Sequence, residues 1–186
     1  MGIDRERIER VVRDVLEDRA DHPVDSGPTA DRDVRVAIGA DHGGFALKEM
    51  LKGYLSDELG YRVKDVGTHS DASCDYPDLA LKVARAVAGG ECAFGIMIDG
   101  AGIGSSMAAN KVPGILAACC HDVKTVVNSR EHNNANVLTM GSGVVGRGLA
   151  RQMVRVWLST GFGGGRHDRR VRKILELEKA WSEKSS

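Results

Sequence analysis

Asp99 ends an apolar run and stands directly ahead of three alternating glycines, Gly100, Gly102 and Gly104. The surrounding segment 93–111 reads AFGIMIDGAGIGSSMAANK. Residues 93–98 predict a strand buried on both faces, and the small residues of 105–110 predict a helix. Glycines let a ligand approach the backbone, and the unpaired amides of a helix start attract phosphate or enolate oxygens. A carboxylate at such a strand end lies where ligands bind in open α/β sheets. Beside amide donors it could act as a base toward a polarised carbonyl. The spacing G-x-G-x-G brings the last glycine one residue early for a dinucleotide fingerprint. Where the acidic ribose ligand is expected, about 20 residues on, stand His121 and Asp122, just past the next strand. A nicotinamide cofactor is therefore disfavoured.

Three further clusters carry groups of the right types. Asp41 and His42 precede the pair Gly43–Gly44 in GADHGGFALKEML, between a strand and a helix. Asp41 could orient a substrate hydroxyl or serve only as a helix N-cap, and His42 could bond a sugar or phosphate. His132 stands among Asn133, Asn134 and Asn136 in NSREHNNANV. Imidazole side chains in general exchange protons near neutrality, which suits proton transfer to sugar oxygens; capping a helix end is the plainer alternative. In GGGRHDRRVRKIL, Arg166 and Arg170 are spaced to share one helical face and could fork a phosphate. A solvated charged surface is the plainer reading.

Positioning these clusters requires alternating elements, and the sequence provides them from Val34 onward. Strands are expected near 34–40, 61–66, 93–98, 115–120 and 137–140. Helices are expected over 45–59, 77–88, 105–110, 123–130 and 144–159, with a last charged helix from about 168 to 183. The fold class is α/β: a Rossmann-like three-layer α/β/α sandwich on a five-stranded parallel sheet. Ahead of it, residues 1–20 carry Ile8, Val11, Val12, Val15 and Leu16 on one face of an amphipathic helix. Residues 21–33 hold Pro23, Gly27 and Pro28 among polar residues and read as a linker. The domain proper is then 34–186. A helix that short must dock on its own domain, a sister subunit or another protein.

The 186 residues carry 26 Lys plus Arg against 26 Asp plus Glu, so no net field favours nucleic acid or an anionic membrane. No apolar run is long enough for a transmembrane helix. The chain is charged from Asp4 onward, unlike a signal peptide. Cys74, Cys92, Cys119 and Cys120 form no C-x-x-C pair and read as reduced thiols, Cys119 and Cys120 at a strand end. A cytosolic protein is expected.

In this order, D-H-G-G-F, D-Y-P, G-x-G-x-G-x-x-x-A-A-N-K, R-E-H-N-N-A-N-V and G-G-R-H-x-x-R closely resemble the ribose-5-phosphate isomerase B / galactose-6-phosphate isomerase family. The resemblance covers about 34–177. It implies aldose–ketose isomerisation of a phosphorylated sugar through a cis-enediolate, without metal or organic cofactor. It also implies a homodimer, often paired into tetramers, with active sites at the subunit interface. By position, Asp41, His42 and Asn133 bind substrate, and amides of the Gly100–Gly102–Gly104 loop stabilise the enediolate. His132 opens the sugar ring, Arg166 and Arg170 grip the phosphate with Arg130 assisting, and Tyr76 lies near the pocket.

The departure is at the base. Many members of the family have cysteine at the position of Asp99, and another branch supplies glutamate at that of Ser105. The threonine beside the cysteine is Ala101 here. Asp99 is the expected base, with hydrogen bonding to a sugar hydroxyl as its alternative role. A carboxylate is a weaker base than a thiolate unless desolvated. The Ile98–Asp99 pair is similar to that of the galactose-6-phosphate isomerase A subunit, whereas A-A-N-K-V-P-G is similar to the ribose-phosphate branch. The substrate is most simply ribose 5-phosphate, with other four- to six-carbon aldose phosphates or a non-catalytic sugar-phosphate-binding subunit as alternatives. The N-terminal extension resembles the encapsulation peptides that recruit enzymes to bacterial microcompartments. That resemblance implies a shell or cargo partner for residues 1–20, with an oligomer contact as the alternative.

Overall fold

The computed structural model describes residues 34–184, so the expected helix at 1–20 and linker at 21–33 lie outside the described residues. Five strands form one parallel sheet: β1 (Arg35–Ala40), β2 (Arg62–Asp65), β3 (Phe94–Asp99), β4 (Ala117–Cys119) and β5 (Val137–Gly141). Their order across the sheet is β2-β1-β3-β5-β4. The helices are α1 (Phe45–Gly53), α2 (Tyr76–Ala88), α3 (Ile103–Ala109), α4 (Val123–Glu131), α5 (Arg147–Ser159) and α6 (Arg166–Lys184). Layering follows from side-chain alternation along the strands. Val36, Ile38 and Ala40 of β1 face one core with Leu47, Leu51, Val126, Met153 and Trp157. Ala37 and Met97 face the other, with Leu79, Val83 and Val87 of α2. The expected three-layer α/β/α architecture is the one found.

Differences from the expected boundaries have local causes. The helix expected over 45–59 is α-helical to Gly53 and closes with a π-turn at Tyr54–Glu58. The fourth strand shrinks to three residues. Helix α5 starts at Arg147, not at Val144, because Gly146 is its extended N-cap and Val144 is exposed. Helix α3 starts two residues before the expected Ser105. Gly102, with φ of 80°, supplies a left-handed turn ahead of Ile103. Gly104 therefore belongs to the first helical turn and not to the loop.

The register places β1 Ala40 beside β3 Ile98, and Asp99 beside Gly141 of β5. From β1 the chain moves outward to β2 and then returns to the opposite side as β3. The switch in direction opens a crevice at the carboxyl ends of β1 and β3. Asp41 follows β1 directly and Asp99 is the last residue of β3, so the topology brings both carboxylates to this crevice.

Candidate active site

The first half of the site is built on those strand ends. Gly44 must be glycine there, because a Cβ would lie 2.4 Å from the Ile98 carbonyl oxygen. That approach holds the start of α1 against β3. Asp41 is 8% exposed, and its Oδ1 accepts the Gly44 N–H at 2.9 Å. This is the capping-like contact weighed from sequence, and it uses one carboxylate oxygen. His42 is exposed, and its Nδ1 accepts the Cys74 N–H at 3.3 Å.

Asp99 is 4% exposed, with its side chain turned into its own glycine loop. Oδ1 accepts the N–H of Ala101 at 2.8 Å and that of Gly102. Oδ2 accepts the Ser105 N–H at 3.1 Å and the Ser105 hydroxyl at 2.5 Å. A carboxylate offers about four lone-pair positions, and all are taken. The sequence led us to expect a carboxylate facing an open pocket beside vacant amides. Here Asp99 is itself the anion that those amides hold, and it caps α3 from within. Gly104 sits under Tyr76, whose ring would lie 2.5 Å from a Cβ added there. Tyr76 thus covers the first turn of α3 while remaining 39% exposed.

The second half is built on helix ends. Asp122 caps α4 by accepting the Thr125 N–H at 2.8 Å, and the helix closes at His132. Asn128 donates to His132 Nδ1 at 2.8 Å, which leaves the proton on Nε2. Asn133 donates back to the Asn128 side-chain oxygen at 3.2 Å. His167, in the first turn of α6, stacks on His132 with ring centroids 4.1 Å apart and planes 7° from parallel. Arg166 Nε donates to His167 Nε2 at 3.3 Å. Desolvation, followed by the charges of His132, Arg166 and Arg170, holds the His167 imidazole below its usual range. A cavity of about 640 Å³ is lined by Cys119, Lys124, His132, Asn133, Arg166 and His167, among others.

The structure thus gathers His132, Asn133 and Arg166 at one cavity and Asp41, His42, Asp99 and Tyr76 around the strand ends. None of the second group lines the cavity of the first. Arg170 is exposed on α6 and also outside the cavity lining. Arg130 departs from its expected role. It is 8% exposed and donates to the carbonyls of Ala135, at 2.6 Å, and Thr160, at 3.2 Å. Its guanidinium lies 4.9 Å from the Phe94 ring centroid and 5.6 Å from that of Trp157. These contacts turn it into the core. The signal was present in α4, where Arg130 shares a face with the buried Val126 and Val127. Cys119 and His167 were not singled out from sequence. Cys119 reads from sequence as a reduced core or strand-end thiol; in the structure it ends β4 and lines the cavity. Among the described residues, no group of three or more His, Cys, Asp or Glu side chains gathers as a metal site. No helix among them is long and apolar enough to cross a membrane.

A family model described as ribose/galactose isomerase matches residues 36–174. Ribose-5-phosphate isomerase B of Escherichia coli is 47% identical over 144 residues, covering 77% of this chain and 96% of that protein. The galactose-6-phosphate isomerase subunit LacA of Streptococcus equi is 41% identical over 142 residues, covering 76% and 98%. The solved structure of Clostridium thermocellum ribose-5-phosphate isomerase B superposes with a TM-score of 0.78 at 52% identity, covering 80% of this chain and 99% of that one. With the switch-point crevice and the helix-end cavity already in place, these matches show that the chain belongs to the ribose/galactose isomerase family.

Proposed function

We propose that this protein interconverts an aldose phosphate and a ketose phosphate, most simply ribose 5-phosphate and ribulose 5-phosphate, through a cis-enediolate. The observation that carries the reading is the pairing of a glycine loop at the sheet's switch point with a cavity that joins His132 to Arg166. His132 Nε2–H is free to donate to the ring oxygen and open the sugar. Arg166, joined by Arg170, takes the phosphate as a charge-assisted fork. Asp41 and His42 bind sugar oxygens or the phosphate from the strand side, and Asn133 binds from the helix side. The Gly100–Gly102–Gly104 segment faces the enediolate. Asp99, expected from sequence as the base, is assigned to hold that loop in shape.

The two groups of residues come together in a homodimer, in which one chain offers its strand ends and the other its helix ends. Ile103, Met107 and Val144, exposed by 52, 64 and 57%, form the apolar rim that a partner copy would cover beside the loop. Residues 1–20 would tether this enzyme to a microcompartment shell or cargo protein. Co-sedimentation with shell proteins, with and without residues 1–32, tests the tether; equal recovery of both forms would exclude it.

The central test is a panel of aldose phosphates followed by NMR in deuterated water. Turnover of ribose 5-phosphate with deuterium entering at C2 is the expected result. Turnover of another sugar would reassign the substrate and keep the chemistry. Tight binding of a sugar phosphate with neither turnover nor exchange would make the chain a binding subunit.

A further inference from the structure

Cys119 touches both the glycine loop and the helix-end cavity of its own chain. It ends β4 half-buried and lines the cavity that holds His132, Asn133 and Arg166. The same side chain lies under the glycine loop. Its sulfur is 3.7 Å from the Ala101 carbonyl oxygen, and a Cβ added to Gly102 would lie 3.0 Å from it. His121 Nε2 is 3.5 Å from the sulfur and 3.0 Å from the Ala101 oxygen. One protonated Nε2 satisfies both contacts, donating to the carbonyl and to a thiolate. Asp99, by contrast, has every lone-pair position taken by its own loop.

We propose that Cys119, paired with His121, is the group that moves the proton between C2 and C1 at this site. The assignment rests on the isomerase reading above. The thiolate takes the C2 proton of the open-chain aldose phosphate. The C–H electron pair becomes the C1–C2 double bond, and the carbonyl pair moves onto O1. The proton on O2 passes to O1, leaving the negative charge on O2. As the O2 carbonyl forms, C1 takes the proton back from the Cys119 thiol and the thiolate is regenerated. No other reactant is consumed, and one group serves both carbons on the same face.

The charged and polar groups facing the sulfur shape its titration. Burial pushes the Cys119 thiol up, the Thr139 hydroxyl pulls it down and the Asp99 charge pushes it up again. His121, beyond β4, faces the sulfur through its Nε2, and Lys124 of α4 lines the same cavity. The thiolate is then a minority species at neutral pH, and exchange should climb as pH rises above neutrality.

Two measurements on the full chain test the assignment. In the first, iodoacetamide labelling of Cys119 is followed by fragment-resolved mass spectrometry with and without ribose 5-phosphate. Protection by about tenfold or more is expected for a thiol at the reacting carbons; labelling that is blind to the sugar would overturn the assignment. In the second, C2 deuterium exchange is compared among the parent, Cys119→Ala and Cys119→Ser, with sugar-phosphate affinity measured alongside. Both variants should lose roughly a thousandfold in exchange and keep their affinity. Serine preserves the size of the side chain, so it decides the matter should alanine fail to fold. Exchange by a folded variant within about tenfold of the parent would remove Cys119 and leave the isomerase intact. A parent that neither turns over nor exchanges any of the panel would remove the isomerase reading, and this assignment with it.

Discussion

The two halves of the site are built on opposite plans. On the strand side the two carboxylates are buried and held by nearby backbone donors, Asp41 by Gly44 and Asp99 by Ala101, Gly102 and Ser105. On the helix side His132, Arg166 and His167 are stacked and bonded in series but remain partly or fully exposed. One half is a rigid frame completed by its own chain. The other is an exposed set of cationic and imidazole groups, to which the proposed function assigns the sugar phosphate. The contrast separates shape from grip, and variants can be chosen to act on one without the other.

Asp99→Asn should have the largest effect, because it damages the frame. An amide places an NH₂ among donors that all point at the same carboxylate, and at least one is left unpaired. Breaking a buried, charge-assisted contact of this kind costs about 3 kcal/mol, or a fall of about 9 °C in melting temperature for a domain of this size. Turnover should fall with it, since α3 and the loop lose their common anchor. Calorimetry beside the exchange assay checks this. An unchanged melting temperature with exchange abolished would invert the comparison and make Asp99 the base.

The two arginines form the next pair. Arg130→Ala removes hydrogen bonds to Ala135 and Thr160 and the guanidinium over Phe94 and Trp157. It should cost about 2–3 kcal/mol of stability and leave the KM of the folded enzyme near that of the parent. Arg166→Ala should do the reverse, raising KM about tenfold through a lost phosphate contact with little change in melting. A matched KM rise in both variants would return Arg130 to the site.

How much of this was legible in the sequence varies by level. The alternation of elements was, because a parallel strand buried on both faces must read as a continuous apolar run, as FGIMI does in β3. The glycines were too, although their reasons differ. Gly44 and Gly104 are small because Ile98 and Tyr76 press on them, and Gly102 because its backbone is left-handed. Where Asp99 points was not legible. Sequence order places a carboxylate at the strand end, but its direction depends on Gly102, which starts α3 early enough for the Ser105 N–H to reach back. Nor was the role of Cys119, since adjacent cysteines at a strand end differ only in which face each takes. Cys120 is buried among Val126 and Val127, while Cys119 faces the loop.

The smallest effect belongs to His167, and it tests whether the helix side awaits an anion. Desolvation and the charges of His132, Arg166 and Arg170 lower its titration, against a small opposing pull from Glu131. The sign follows from proton linkage. A histidine depressed in the folded state binds its proton more readily when unfolded. Stability therefore falls as pH drops below the unfolded value of about 6.5 and levels off below the depressed folded value. Bound phosphate would face the same imidazole and favour its charged form. Inorganic phosphate should consequently move the His167 ring resonance to a higher titration midpoint, and by the same linkage bind more tightly as pH falls through that range. An NMR titration with and without phosphate measures both. If the midpoint does not move while phosphate is bound elsewhere on the chain, the stacked pair serves only to close α4 against α6. The grip would then lie with Arg170 and the residues of a second copy.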